Sequence, residues 1–572
     1  MHSGQFSRYF QDYRALLPYS LLGLIIGLCS AAAIMGFEAL IQLLGELWLD
    51  DSPDGFENLP AWQRFAFPTV GAFLLGLLFS GLGSEDREVG MVHVISRMHS
   101  HYGHLPWRNA VVQFFSGAFA LASGQSGGRE GPGVHLGASI SSSFAGWLGL
   151  PNNSRRILIA CGTAGSIAAA FNTPLAGVVF AMEVIVVEYT VIGFTPVILA
   201  AVSATALHRA LDLRFEGLQI PATDLVSLLE LPFILMLGII TGAIIALFIM
   251  LLKRNLALSG YPVLLRFTLA GVITGTLGLA VPEVLGVGYD SVNLAVQGEL
   301  APMLLLTLII AKVLATACSV GLGLPVGMIG PSLLIGACSG GLLGYWGNEF
   351  LPEMSSDPSM YAVIGMGAAM AAVLNAPLAG LLAVVELTRN VSLVFPSMLA
   401  IIAATLTVTV LFGQRSAHQT VLRHLQREMP DDPISQMLHQ TSIIDAMDRR
   451  VGMQAHYLTA PPARAEGAAS ANASDLPHWC LITRDEDTLF MARGEDIRNL
   501  QPATDEEGCD LTEQDLRRWT ITNLSPRATL REGLDALRTH NAEAVVIKDP
   551  NVAGAIGVLT REMIDQFYLK QF

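Results

Sequence analysis

The sequence predicts an all-α polytopic membrane domain of two repeated halves with broken, tilted helices, followed by a small α/β tail. Three observations carry that prediction. The 572 residues are 52% hydrophobic and only 14% charged, with a formal net charge of −15 and a mean hydropathy of +0.51; an average soluble domain carries about 25% charged residues. Roughly half of the charged residues fall after Arg415, so the chain before it has too little charge to solvate a globular surface. Two motifs also recur in order at nearly one offset. A water-soluble enzyme, a disordered chain and a nucleic-acid binder are excluded as whole-chain readings.

The first apolar stretch, Leu16–Leu49, is too long for a signal peptide and lacks a cleavage site. It exceeds the about 20 residues a crossing needs, so it tilts or extends out of the lipid. Phe65–Gly83, Ala110–Ser123, Ile157–Val187, Val191–Leu211, Leu225–Leu252, Leu264–Leu285, Met303–Val320, Pro331–Trp346, Tyr361–Glu386 and Leu393–Phe412 follow. Gly, Pro and Asn clusters interrupt several of them. In lipid such breaks are tolerated only where the backbone is buried in protein or lines a polar cavity, which places a site inside the membrane. Arg8 and Arg14 precede the first stretch, and Arg415, Arg423 and Arg427 follow the last, whereas the loop after the first stretch holds Asp50, Asp51, Asp54 and Glu57. That asymmetry puts both termini in the cytoplasm and makes the number of full crossings even. The cysteines (Cys29, Cys161, Cys318, Cys338, Cys480, Cys509) include no CxxC spacing, so neither a disulfide framework nor a zinc site is expected.

The repeats are GxxGPxxxxGA, at Gly128–Ala138 and Gly327–Ala337, and NxPLAGxxxxxE, at Asn172–Glu183 and Asn375–Glu386. The membrane region is therefore a duplicated half, an arrangement that in transport proteins sets the site at the repeat interface near the midplane. In Gly128-Arg129-Glu130-Gly131-Pro132, small residues lead into a helix with proline in its first turn. The glycines let backbone N–H groups approach a ligand, and a helix N-terminus favours anions. Gly327-Met328-Ile329-Gly330-Pro331 repeats the design. Partial charges of this kind suit rapid passage better than a fixed lysine, which would hold an anion too tightly. Glu130 is a carboxylate where an anion would sit, and intramembrane acids are functional candidates by default. Charged, it occupies the site; protonated, it leaves.

With these motifs the membrane region, residues 15–425, resembles the CLC family of chloride channels and chloride/proton antiporters. The resemblance implies a homodimer with one pore per subunit, built from inverted halves. It implies Glu130 as gate and the Met328 and Ile329 N–H groups as central anion ligands, with Gly128, Arg129, Gly131 and Gly327 around them and chloride as the permeant ion. No metal or resident cofactor follows, and the chain is expected to be a multi-pass protein of a bacterial inner membrane. Three departures bear on mechanism. Where many members carry GSGIP, this chain has Glu88-Val89-Gly90-Met91-Val92, without the anion-binding hydroxyl. The family's pore tyrosine is replaced by Ser416-Ala417-His418, making His418 a candidate donor to the anion or else a solvated histidine. The internal proton-transfer glutamate of the antiporters is Val184 here, as in the channels. Glu183, with its repeat Glu386, reads as a structural cap, and Glu188 as a candidate substitute proton path. Val184 favours a passive channel over a proton-coupled antiporter. Fluoride-branch pore motifs are absent. So are HExxH and GxSxG, which argues against an intramembrane enzyme; His135, beyond Glu130, is expected to pack helices. A cation-coupled carrier would need acids in both halves, and the second half offers Met328-Ile329.

In the tail, residues 426–572, Thr529–Glu532 is a capping box. Strands at Ala544–Ile547 and Gly554–Leu559 flank a turn at Asp549–Asn551, and a helix starts at Arg561. Ile443–Arg450, Trp479–Thr483 and Thr488–Ile497 suggest a degenerate first copy, with Thr459–Pro477 a flexible insertion. The tail resembles the CBS pair of many CLC proteins, which often binds adenine nucleotides. The usual ribose-binding aspartate would lie at Met563, three residues after Thr560, and the other copy offers Asp496. A structural or dimer-stabilising tail is favoured over a nucleotide sensor, for which Thr560 and Asp496 are the residues left.

Overall fold

The computed structural model describes residues 16–49, 55–187, 191–211, 227–350, 356–427, 438, 441–458, 477–484, 487–498, 509–549 and 554–569. The chain separates into two compact units, Met1–Gly149 with Arg155–Met429, and Leu150–Ser154 with Pro430–Phe572.

Among the described residues, the elements of the first unit are helices joined by turns and loops. Its first half holds α1 (Leu16–Gly45), α2 (Ala61–Gly81), α3 (Gly90–Ser100), α4 (Trp107–Ala122), α5 (Glu130–Trp147), α6 (Asn152–Phe171), α7 (Pro174–Phe180, running into a π-helical turn at Ala181–Val186) and α8 (Val191–Ala210). Its second half holds α9 (Leu231–Leu256), α10 (Val263–Ala280), α11 (Tyr289–Val296), α12 (Pro302–Gly321), α13 (Ile329–Phe350), α14 (Pro358–Leu374), α15 (Pro377–Thr388), α16 (Val394–Leu406) and, after a π-helical turn at Thr407–Leu411, α17 (Ala417–His424). Among the described residues, six helices are long and apolar enough to cross a membrane. The other predicted stretches form shorter or less apolar helices. Leu17, Leu43, Leu77, Met303 and Val410 stay exposed on the long helices, as a lipid-facing surface requires.

Two predicted stretches, Ile157–Val187 and Tyr361–Glu386, each divide into two helices at the repeated asparagine. Asn172 and Asn375 both have φ 56, a left-handed conformation that asparagine tolerates and that ends a helix. Two residues on, Pro174 and Pro377 open α7 and α15, where the missing N–H is no loss. The NxP motif is thus a stop followed by a start.

Packing repeats along with the motifs. α1 lies on α8 as α9 lies on α16. Between α5 and α6, a Cβ on Gly137 would sit 2.3 Å from the Gly162 carbonyl oxygen; between α13 and α14, one on Gly336 would sit 2.3 Å from that of Gly365. Small residues let membrane helices approach this closely, and dispersion and hydrogen bonding then hold them.

The second unit is mixed α/β. Strand β1 (Val451–Ala455) pairs parallel with β3 (Trp479–Arg484), which pairs antiparallel with β4 (Asp487–Arg493); β2 (Tyr457–Leu458) pairs with β5 (Cys509–Asp510). Strand β6 (Ile521–Leu524) pairs parallel with β7 (Ala544–Lys548), which pairs antiparallel with β8 (Ala555–Thr560). The order β1-β3-β4 is thus repeated as β6-β7-β8. Helices α18 (Ile443–Ala446), α19 (Gly494–Arg498), α20 (Leu530–Thr539) and α21 (Arg561–Leu569) complete it. The predicted helix, two strands and final helix form, with the Thr529 cap opening α20; of the predicted turn only Asp549 lies within the described residues. The strands β1 and β6 escape a sequence reading because each is short and only half-buried. Trp479, Leu481 and Met491 share one core with Ala544, Val546 and Val558. Of the predicted insertion only Pro477 lies within the described residues.

Candidate anion site

Helices α5 and α13 both begin at the repeated motif, and there the halves pair. The Gly128 N–H donates to the Gly327 carbonyl and the Gly327 N–H to that of Gly128, each at 2.7 Å, as an antiparallel bridge. A Cβ on Gly327 would lie 2.7 Å from the Gly131 nitrogen, so glycine is needed for the approach. Expected among the anion donors, Gly128 and Gly327 instead spend their N–H groups on this bridge. Their contribution is to bring two helix N-termini, each with unpaired donors and partial positive charge, to one point.

Glu130, the first residue of α5, is fully buried there. Its Oε2 accepts from the Gly330 N–H at 3.1 Å, and its Oε1 accepts from the Tyr289 hydroxyl. The carboxylate therefore sits on the N-terminus of the opposite half's helix, where a free anion would be favoured. Arg129 is not offered to an anion. Its guanidinium pairs with Glu38 at 2.9 Å, donates to the Ala170 carbonyl at 3.2 Å and lies 4.7 Å over the Tyr289 ring. Lys312, fully buried, donates to the carbonyls of Val284 and Gly286 at 3.0 and 3.1 Å, holding the turn that delivers Tyr289.

A cavity of about 330 Å³ adjoins the site, with Val89, Gly131, Met328, Ile329 and Arg427 in its wall. Met328 and Ile329 thus stand at the open start of α13, beside the residue whose N–H reaches Glu130. His418 is buried, with Nε2 3.3 Å from the Ser416 hydroxyl, and is not part of that wall. Val184 is buried in the π-helical turn after α7; Glu188 lies outside the described residues. In the tail, Thr560 Oγ1 accepts from the Met563 N–H at 3.4 Å, opening α21, while Asp496 lies on α19 in the other copy.

Sequence reasoning missed Tyr289, Gly330, Glu38 and Lys312. For Tyr289 the signal is slight: it follows Gly286 and Gly288, which take positive φ of 65 and 86, in a glycine-rich break between apolar stretches.

A model of the family described as voltage gated chloride channel matches residues 71–409. The chain belongs to the CLC family. A Vibrio cholerae relative, named H(+)/Cl(-) exchange transporter ClcA, is 31% identical over 427 residues, covering 72% of this chain and 91% of that protein. A Ralstonia nicotianae relative, named putative chloride channel protein ClcB-like, is 34% identical over 395 residues, covering 67% of this chain and 92% of that protein. A eukaryotic CLC transporter structure is 19% identical with a TM-score of 0.58, covering 96% of this chain and 98% of its own. The chain is therefore a multi-pass integral membrane protein of anion transport and not an enzyme.

Proposed function

We propose that this CLC protein exchanges chloride for protons, each subunit of a homodimer using its own pathway gated by Glu130. The observation that carries the reading is the Glu130 carboxylate on the start of α13, 3.1 Å from the Gly330 N–H. Charged, Glu130 holds the place of an anion; once protonated it loses the attraction of two helix N-termini and yields the place to chloride. One group thereby handles both ions. Relatives named as exchange transporters support coupling over the passive channel that Val184 favours. Val184 and the relative named putative chloride channel protein ClcB-like stand on the channel side. The antiparallel Gly128–Gly327 bridge supports inverted halves, and the terminal arginines support cytoplasmic termini in a bacterial inner membrane. The repeated strand order of the tail supports a CBS pair. The Thr560 cap supports a structural tail rather than an adenine nucleotide sensor.

The test is Glu130→Gln in proteoliposomes. Chloride flux should persist, lose its pH dependence and move no protons; proton movement driven uphill by chloride in the variant would contradict the proposal.

A further inference from the structure

We infer that His93 and His135 form the internal proton relay of this chain, standing in for the position that Val184 leaves apolar. The inference rests on the exchange reading above. His93 on α3 and His135 on α5 are both buried, and Nδ1 of the first lies 2.9 Å from Nε2 of the second. The Arg97 Nε–H donates to His93 Nε2 at 3.2 Å. That contact fixes the tautomers: His93 carries its hydrogen on Nδ1 and donates it to His135 Nε2, so His135 carries its own on Nδ1. There the chain of donors stops, because His135 Nδ1 has no partner among the described residues. A buried N–H left unpaired is costly to folding. Helix packing alone, the role expected for His135, gives no reason to carry that cost.

The other end of the pair meets the cavity. Glu88 and His93 both line it, and the Glu88 carboxylate, 28% exposed, lies 3.7 Å from His93 Nε2. Arg427 grips Glu88 at 2.6 and 2.8 Å. Arg97, His101 and Arg427 are the other charged or titratable groups facing His93; His135 is faced by His93. The π-helical turn that packs on α3 brings Val184 and Glu183, and the Glu183 carboxylate is already held by the Leu378 and Ala379 N–H groups.

In the relay, a proton from cavity water bonds to His93 Nε2 as Arg97 yields it. The Nδ1–H bond of His93 breaks as the Nε2–H bond of His135 forms. His135 then releases its Nδ1 proton through water to the Glu130 carboxylate, five residues back along α5 and about 7.5 Å of helix rise away. One proton enters and one leaves, nothing is oxidised, and each ring ends the step with its hydrogen on Nε2, from which proton exchange with water returns it to Nδ1. Imidazoles suit such a step because each neutral ring offers one nitrogen that donates and one that accepts.

The experiment compares reversal potentials of full-length wild type, His93→Gln and His135→Gln in planar bilayers under a chloride gradient with a pH gradient added. The wild type should shift with the pH gradient. Both variants should conduct chloride yet sit at the chloride Nernst value, and Val184→Glu added to His135→Gln should restore the shift. The double variant His93→Gln/His135→Gln, which can pair amide to amide, serves if a single change misfolds. A shift of wild-type size in the variants, with the wild type coupled, overturns the relay alone. A wild type indifferent to pH overturns the exchange reading and the relay with it.

Discussion

Glu183 and Glu386 each close a helix that belongs to the other half. The Glu386 carboxylate accepts from the N–H groups of Leu175 and Ala176 at the start of α7, at 2.9 and 2.7 Å. The Glu183 carboxylate accepts from those of Leu378 and Ala379 at the start of α15, at 3.3 and 2.8 Å. Negative charge at a helix N-terminus is favourable and the orphan donors are satisfied, so the conserved spacing of NxPLAGxxxxxE within the chain acquires a reason: each copy of the motif supplies both a helix start and the acid that caps its counterpart.

Removing either cap should destabilise the membrane unit without touching the anion site. Glu386→Ala is expected to cost about 1–2 kcal/mol, and Glu183→Ala a similar amount. Thermal unfolding in detergent measures this, with chloride flux per folded protein unchanged.

Tyr289 holds the gate through its hydroxyl. Tyr289→Phe keeps the ring beneath Arg129 and deletes that donor, a loss of about 1 kcal/mol of gate retention. Chloride flux at neutral pH should rise about fivefold, read as the rate of chloride efflux from proteoliposomes. An unchanged or lower rate would show that the hydroxyl does not restrain Glu130.

At the bridge there is no room. A Cβ on Gly327 would also lie 2.9 Å from the Gly128 carbonyl oxygen. Gly327→Ala should cost more than about 3 kcal/mol, seen as loss of monodisperse protein or of all chloride flux.

In the tail, Asp448 accepts from the Arg450 backbone N–H at 3.0 Å and the Arg450 guanidinium at 3.2 Å, and lies 2.5 Å from His478 Nδ1. Burial pushes its carboxyl up, but the bonds from Arg450 and His478 outweigh that and hold it below the usual carboxylate range. A carboxyl depressed on folding contributes stability above its unfolded value and loses it as the pH falls from that range toward the folded value. The hydrogen-exchange protection of β1 and β8 in the full-length protein, taken relative to the intrinsic rate at each pH, should therefore fall below about pH 4. Asp448→Asn should already show the faster exchange at neutral pH, by about 1 kcal/mol.

Much of this was legible from residues alone because the chemistry is written as local motifs. Glycines before a helix start, the NxP stop and start, and an acid in an apolar stretch are short-range patterns, and duplication printed each backbone part twice. The unread parts depend on where helices meet. Tyr289 and Lys312 reach Glu130's neighbourhood from α11 and α12, and the His93–His135 contact joins α3 to α5; no spacing along the chain encodes such meetings. The acid that Arg129 pairs with, Glu38, lies on α1, far upstream, so no local spacing announces the pair. The Gly128–Gly327 bridge was not legible either, because a sequence shows that an N–H is available, not what takes it.

Coupling through Glu130 is tested most directly by the reversal potential of the purified wild-type protein in a planar bilayer, with a fixed chloride gradient and an imposed pH gradient. Proton exchange predicts a potential displaced from the chloride Nernst value in the direction of the pH gradient and growing with it. A potential that stays at the chloride Nernst value at every pH gradient would mean a passive chloride channel and would contradict exchange.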